Sequence, residues 1–158
     1  MKKYLPLLIT IVPALFLYRM IIFGEIVTAG DDLARHPINE WRDNYISENE
    51  DMPQWYPNLF SGMPSYGGYI YMTGDPTKRF RNVILFNLGL KAWFYLSLGG
   101  VGTFFLLRIL GSSITAGVLG GLITGITPYN FGLVNAGHLN KIFAMAYAPW
   151  VIACFFLF

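Results

Sequence analysis

Polar and apolar positions alternate in long blocks along this chain, and the blocks predict its elements. Residues 4–23 read YLPLLITIVPALFLYRMIIF, apolar apart from Thr10 and Arg19. At about 1.5 Å per residue such a run reaches roughly 30 Å, the thickness of a bilayer's hydrocarbon core. A polar segment follows over 24–82, then apolar runs over 92–110, 114–133 and 142–158. The second run is set to begin at Ala92 because a start near Val83 would bury Lys91 about 12 Å deep, at a cost of several kcal/mol unless it is paired. Residues 80–90 then form a juxtamembrane helix. Gly117, Gly121 and Gly125 recur at i, i+4, i+8, a row that lets another helix backbone come close. Pro128 interrupts the outer half of that run. The last run ends without a polar flank, so the chain is expected to stop inside a helix of a longer polytopic protein.

Within 24–82, Pro37 is placed like a first-turn proline. Behind it Ile38, Trp41 and Tyr45 make one apolar stripe, with Glu40, Asp43 and Asn44 facing elsewhere. This predicts an amphipathic helix lying on the membrane surface. Ser47–Asp51 reads as an acidic turn. Residues 52–76 mix Gly and Pro with Trp55, Tyr56, Tyr66, Tyr69 and Tyr71, a shaped loop rather than a regular element. The expected fold is an all-α polytopic transmembrane helix bundle, with a long outer loop carrying juxtamembrane helices.

Composition agrees with the blocks. Of 158 residues, 54% are hydrophobic, 17% aromatic and 13% charged, whereas a soluble domain carries about 25% charged residues. The aromatics suit interfacial belts. All 9 acids lie between residues 24 and 82, and the net charge of +2 gives no case for nucleic acid. Basic Lys2 and Lys3 are expected inside, Lys91 outside and Arg108 inside, which leaves the N-terminus cytoplasmic. The basic start and Val27-Thr28-Ala29 also resemble a cleavable signal peptide. Arg19, the length of the run and the later spans favour an uncleaved helix. Cys154 stands alone in an apolar run and carries no redox evidence.

Gly30-Asp31-Asp32-Leu33-Ala34-Arg35-His36-Pro37 brings two carboxylates, an Arg and a His close to the expected membrane surface, where charges need partners or a task. Together with Trp55-Tyr56-Pro57-Asn58-Leu59-Phe60-Ser61-Gly62-Met63-Pro64 and Asn135-Ala136-Gly137-His138-Leu139-Asn140-Lys141, this string resembles the YfhO-like family of bacterial membrane proteins. The resemblance covers essentially the whole chain and corresponds to the N-terminal part of such a protein. It implies the GT-C fold of membrane glycosyltransferases in the bacterial cytoplasmic membrane. It also implies a polyprenyl-phosphate-linked sugar donor and an extracytoplasmic, cell-envelope acceptor. The family's dependable Asp before a Leu falls on Asp32; Asp31 is additional.

Glycosyl transfer from a lipid phosphate needs a base for the acceptor hydroxyl and positive charge or a metal for the leaving phosphate. Asp32 is the candidate base or metal ligand, assisted by Asp31, and Mg²⁺ or Mn²⁺ would take such oxygens. The same pair also suits a helix cap or a solvated turn. Arg35 and His36 are candidate phosphate contacts, against a headgroup-snorkelling role. His138 and Lys141 are candidates to close the donor site from the second outer loop, against a helix-end hydrogen bond. The loop aromatics stack on sugars or form an interfacial belt. The competing class is a non-catalytic module, a transporter half or an assembly scaffold. A transporter calls for broken or polar helices at mid-membrane. Walker, dinucleotide and nucleophilic Ser motifs and a Cys/His cluster are absent from the sequence.

Overall fold

The computed structural model describes residues 2–24, 30–57, 61–65 and 83–157, with side chains for 4–24, 36–57, 61–65 and 83–157. A 3-10 turn, Lys2–Leu7, leads into α1 (Leu8–Phe16), and α2 (Tyr18–Ile22) continues it past a bend at Leu17. The polar segment holds α3 (Gly30–Asn49) and two short strands, β1 (Trp55–Tyr56) and β2 (Met63–Pro64). Then come α4 (Leu88–Ile109), α5 (Ile114–Ile126), α6 (Pro128–Asn135) and α7 (Leu139–Leu157). Three helical stretches among the described residues are long and apolar enough to cross a membrane: α4, α5 with α6, and α7.

The first apolar run is not the single rod expected over 4–23. Pro6 lies in the 3-10 turn and Pro13 inside α1. Proline has no N–H, so the Ile9 carbonyl loses its i+4 donor. The bend falls one turn later, but Leu17 N–H to Pro13 O (3.1 Å) and Ile21 N–H to Leu17 O (2.9 Å) carry the helix across it. Gly24, at φ 65°, closes the run in the left-handed region.

The second run begins earlier than Ala92. Asn87 is an N-cap: its Oδ1 accepts from the Leu90 N–H at 2.7 Å, so α4 opens at Leu88. Lys91 therefore sits in the first turn, at the end of the helix rather than deep within it. Pro128 does interrupt the third run. Thr127 turns to an extended backbone, ψ 138°, and α6 restarts with proline in its first turn.

Helix α4 is central, and its contacts give the order of the bundle. Trp93 donates its indole N–H to Thr10 O at 2.8 Å, Gly100 faces Ile9, and Gly89 lies against the Met20 backbone. Gly100 also meets Gly121, Phe104 meets Gly117, and the Leu96 carbonyl meets Gly125. Tyr95 stacks on Phe143 with ring centroids 4.0 Å apart, Gly99 packs on Ala146, and Gly102 on Trp150. These registers make α4 antiparallel to α1 and α5 and parallel to α7. Gly24, Asn87 and Gly137 thus share one end, and the Gly111 turn lies at the other.

In the polar segment, Pro37 is inside α3 rather than in its first turn, because the helix already begins at Gly30. The stripe of Ile38, Trp41 and Tyr45 is half-buried while Glu40, Asp43 and Asn44 are exposed, as the spacing required. Ser47 and Glu48 remain helical; the turn comes at Glu50, φ 53°. The shaped loop contains an antiparallel pair, Trp55 opposite Pro64 and Tyr56 opposite Met63. Gly62, φ 111°, sits under the Trp55 indole, where a Cβ would stand 2.8 Å from Cζ2.

Candidate functional site

The polar end of the bundle is built by hydrogen bonding at two places, Asn87 and the turn at Gly137. Asn87 donates its side-chain N–H to Ile21 O at 3.0 Å while it caps α4, so one side chain ties the end of α2 to the start of α4. At the end of α6, Gly137 (φ 77°) donates its N–H to Val134 O at 3.2 Å, and the His138 N–H bonds Leu133 O at 2.9 Å. This paired closure uses a left-handed glycine to satisfy the last carbonyls of a helix. The His138 carbonyl then accepts from the Lys141 N–H at 3.1 Å and opens α7. His138 and Lys141 are both exposed, one turn apart. The Lys141 ammonium lies 5.3 Å from the centre of the Tyr129 ring, a cation–π contact that holds its stem toward α6.

On the other polar segment, α3 starts six residue steps after Gly24, a tether no longer than about 22 Å. The tether leaves α2 at the end that carries Asn87 and His138. The helical backbone sets positions 31 and 35, and 32 and 36, one turn apart. His36 is exposed. The side chains of Asp31, Asp32 and Arg35 lie outside the described residues, and with them the proposed base, metal ligands and one phosphate contact. Among the described residues, no three His, Cys, Asp or Glu side chains gather.

The aromatic candidates divide. Tyr56 is only 2% exposed and packs on Trp41 with centroids 5.4 Å apart, so its ring is used in holding the strand pair to α3. Trp41 also contacts Tyr45, at 5.6 Å. Trp55 remains 52% exposed. Tyr66, Tyr69 and Tyr71 lie outside the described residues. Arg42 bonds its helix neighbours, donating from Nε to Asp43 Oδ1 at 2.8 Å and from Nη1 to Asn39 Oδ1 at 3.1 Å.

The hydrophobic pattern does not mark Asn130, one of the buried polar side chains of the bundle. It is 6% exposed, and its Nδ2 donates to Thr124 O at 2.6 Å. Pro128 has no N–H to give that carbonyl, and Asn130, two residues on, supplies the donor instead. An Asn just after a proline in an apolar run was the available signal. Beside it a cavity of about 260 Å³ opens between α4, the α5–α6 break and α7.

Comparison with protein-family models, with curated proteins and with solved structures finds no match to this chain.

Proposed function

We propose that this chain is the membrane-embedded part of a GT-C-like glycosyltransferase of the YfhO-like kind. It would move a sugar from a polyprenyl-phosphate donor to a cell-envelope acceptor outside the bacterial cytoplasmic membrane. One observation supports the reading: the chain leaves α2 toward the segment with Asp31, Asp32, Arg35 and His36 at the same end of the apolar bundle as the turn with His138 and Lys141. A polyprenyl tail would keep a phosphate at that level. Asp32 takes the acceptor hydroxyl's proton, with Asp31 assisting. Arg35, His36, His138 and Lys141 offset the charge that grows on the leaving phosphate. A divalent cation, if bound, would be held by Asp31 and Asp32 and would add to that neutralisation.

The test is donor turnover in liposomes containing the protein, a radiolabelled polyprenyl-phosphate sugar and a cell-envelope fraction. Release of polyprenyl phosphate by the wild type, lost in Asp32→Asn while membrane insertion is unchanged, is the expected result. Full activity in Asp32→Asn removes Asp32 from the chemistry, and no turnover by the wild type overturns the reading.

The break at Thr127–Pro128 favours a second reading, a transporter half. Discontinuous helices with polar groups at depth are what such proteins use to hold substrate. Sugar or ion flux across the same liposomes, independent of Asp32, would decide for it.

A further inference from the structure

We propose that the cavity beside the α5–α6 break binds an uncharged, hydroxyl-bearing amphiphile that enters sideways from the bilayer. Asn130 is part of the cavity wall. Its amide orientation is fixed, because flipping it would set oxygen against oxygen at the Thr124 carbonyl, 2.6 Å away. Oδ1 therefore faces away from that bond. Among the described residues nothing donates to it, and packing does not seal it off from open space. Asn130 nonetheless lines the cavity and is 6% exposed. An amide oxygen left without a donor among apolar groups costs about 1–3 kcal/mol. The position calls for an O–H.

The rest of the lining says what carries that O–H. Leu96, Ile123, Ile142 and Met145 make apolar walls, with Thr127 beside Asn130, and no charged residue contributes. A phosphate or an inorganic cation finds no counter-charge there. Water alone would satisfy the oxygen but not the apolar volume, whereas one hydroxyl on an apolar body satisfies both. At the mouth, Ile123 is 67% exposed and Met145 39%. Tyr95 and Met145 lie about two turns into α4 and α7, and Thr127 about two turns from the end of α6, which places the cavity roughly 10 Å below the polar end. The opening between α5 and α7 therefore faces lipid rather than water. This site stands apart from the proposed glycosyl transfer and does not depend on it.

The experiment uses the protein in phosphatidylcholine nanodiscs with a long-chain alcohol bearing a diazirine, compared with the methyl ether of the same chain. Peptide mass spectrometry reads the labelled residues. The alcohol should label 123–127 and 142–146 saturably, and unlabelled hexadecanol should displace it. The ether, which has no donor, should label roughly five-fold less, as should Asn130→Leu, the size that one hydrogen bond in lipid supports. Ile123→Trp blocks the mouth without touching the Asn130–Thr124 bond and should lower labelling as well, so the test survives if Asn130→Leu does not fold. Equal labelling by alcohol and ether, or unsaturable labelling spread equally over the outward residues Phe155 and Phe156, overturns the proposal. Labelling reads binding and not turnover, so its failure leaves the glycosyltransferase reading to its own test.

Discussion

The two flanks of α4 differ at one place, the break between α5 and α6. Toward α1 and α5 the backbones nearly touch. A Cβ on Gly100 would stand 2.6 Å from Ile9 Cγ2 and 2.7 Å from Gly121 O, and one on Gly121 would stand 2.7 Å from Gly100 O. Toward α7 the contacts are also close, Gly99 on Ala146 and Gly102 on Trp150, but beside the α5–α6 break they part around a cavity. The difference comes from how each neighbour departs from a regular apolar helix. Glycine omits the side chain and brings helices together, which matters in lipid, where no hydrophobic drive favours helix–helix contact. Proline omits a hydrogen-bond donor, turns the chain aside and leaves a carbonyl that another group must satisfy. Closeness here needs only absence, whereas the opening needs a repair, and Asn130 makes it.

The largest effect is expected where the backbones touch. Gly121→Leu forces α1, α4 and α5 apart and should cost about 3 kcal/mol or more, at or beyond the upper end for overpacked cores. Gly132, on α6, has nothing within 4 Å of where a Cβ would be. Gly132→Ala should be neutral or stabilising by up to about 1 kcal/mol, the helix-propensity gain. Detergent-titrated unfolding of the pair measures the contrast. Similar losses for both would mean that the glycine contacts do not hold the tight flank together.

What was legible in the sequence follows the same division. The row Gly117, Gly121, Gly125 could be read because i, i+4, i+8 marks one helix face whatever the partner. Its partner could not: Gly99, Gly100 and Gly102 have no such spacing, and only the crossing with α5 and α1 selects Gly100. The break at Pro128 was readable from proline's missing N–H, but its repair depends on a side chain reaching back six residues. At α4 the expected start at Ala92 rests on the cost of burying Lys91 and takes no account of the cap at Asn87. The cap prevailed because a lysine in the first turn is not buried deeply. Pro37 shows the limit of a positional preference, since a helix that begins at Gly30 leaves it inside. The acidic corner is legible only as residue types near a membrane edge, and its chemistry rests on functional tests.

A smaller effect sharpens the account of the open flank. Asn130→Ala strands the Thr124 carbonyl and should cost about 1–2 kcal/mol. Pro128→Ala gives the backbone an N–H that can take over that carbonyl. In the Pro128→Ala background, Asn130→Ala should therefore cost about 1 kcal/mol less, a coupling that a double-mutant cycle resolves. Identical costs in both backgrounds would show that Asn130 does not stand in for the missing donor.

The smallest effect separates the flanks through two tryptophans. Trp93 donates to Thr10 O on the tight side at 2.8 Å, and Trp150 to Leu98 O on the α7 side at 2.9 Å. Both acceptors lie inside helices, where the i+4 N–H remains as a partner. Removing the indole donor therefore leaves neither carbonyl bare, and Trp93→Phe should cost about 0.6 kcal/mol, the average for a hydrogen bond between helices in lipid. Trp150 has a second task. Its indole fills the notch at Gly102, where a Cβ would stand 2.5 Å from Nε1. Phenylalanine is too small to reach the back of that notch, so Trp150→Phe adds a void to the lost bond, and its cost should exceed that of Trp93→Phe. If the order is reversed, the Trp93 bond is worth more than one of a pair at its carbonyl, and the tight flank is held by polar contacts as well as by missing side chains.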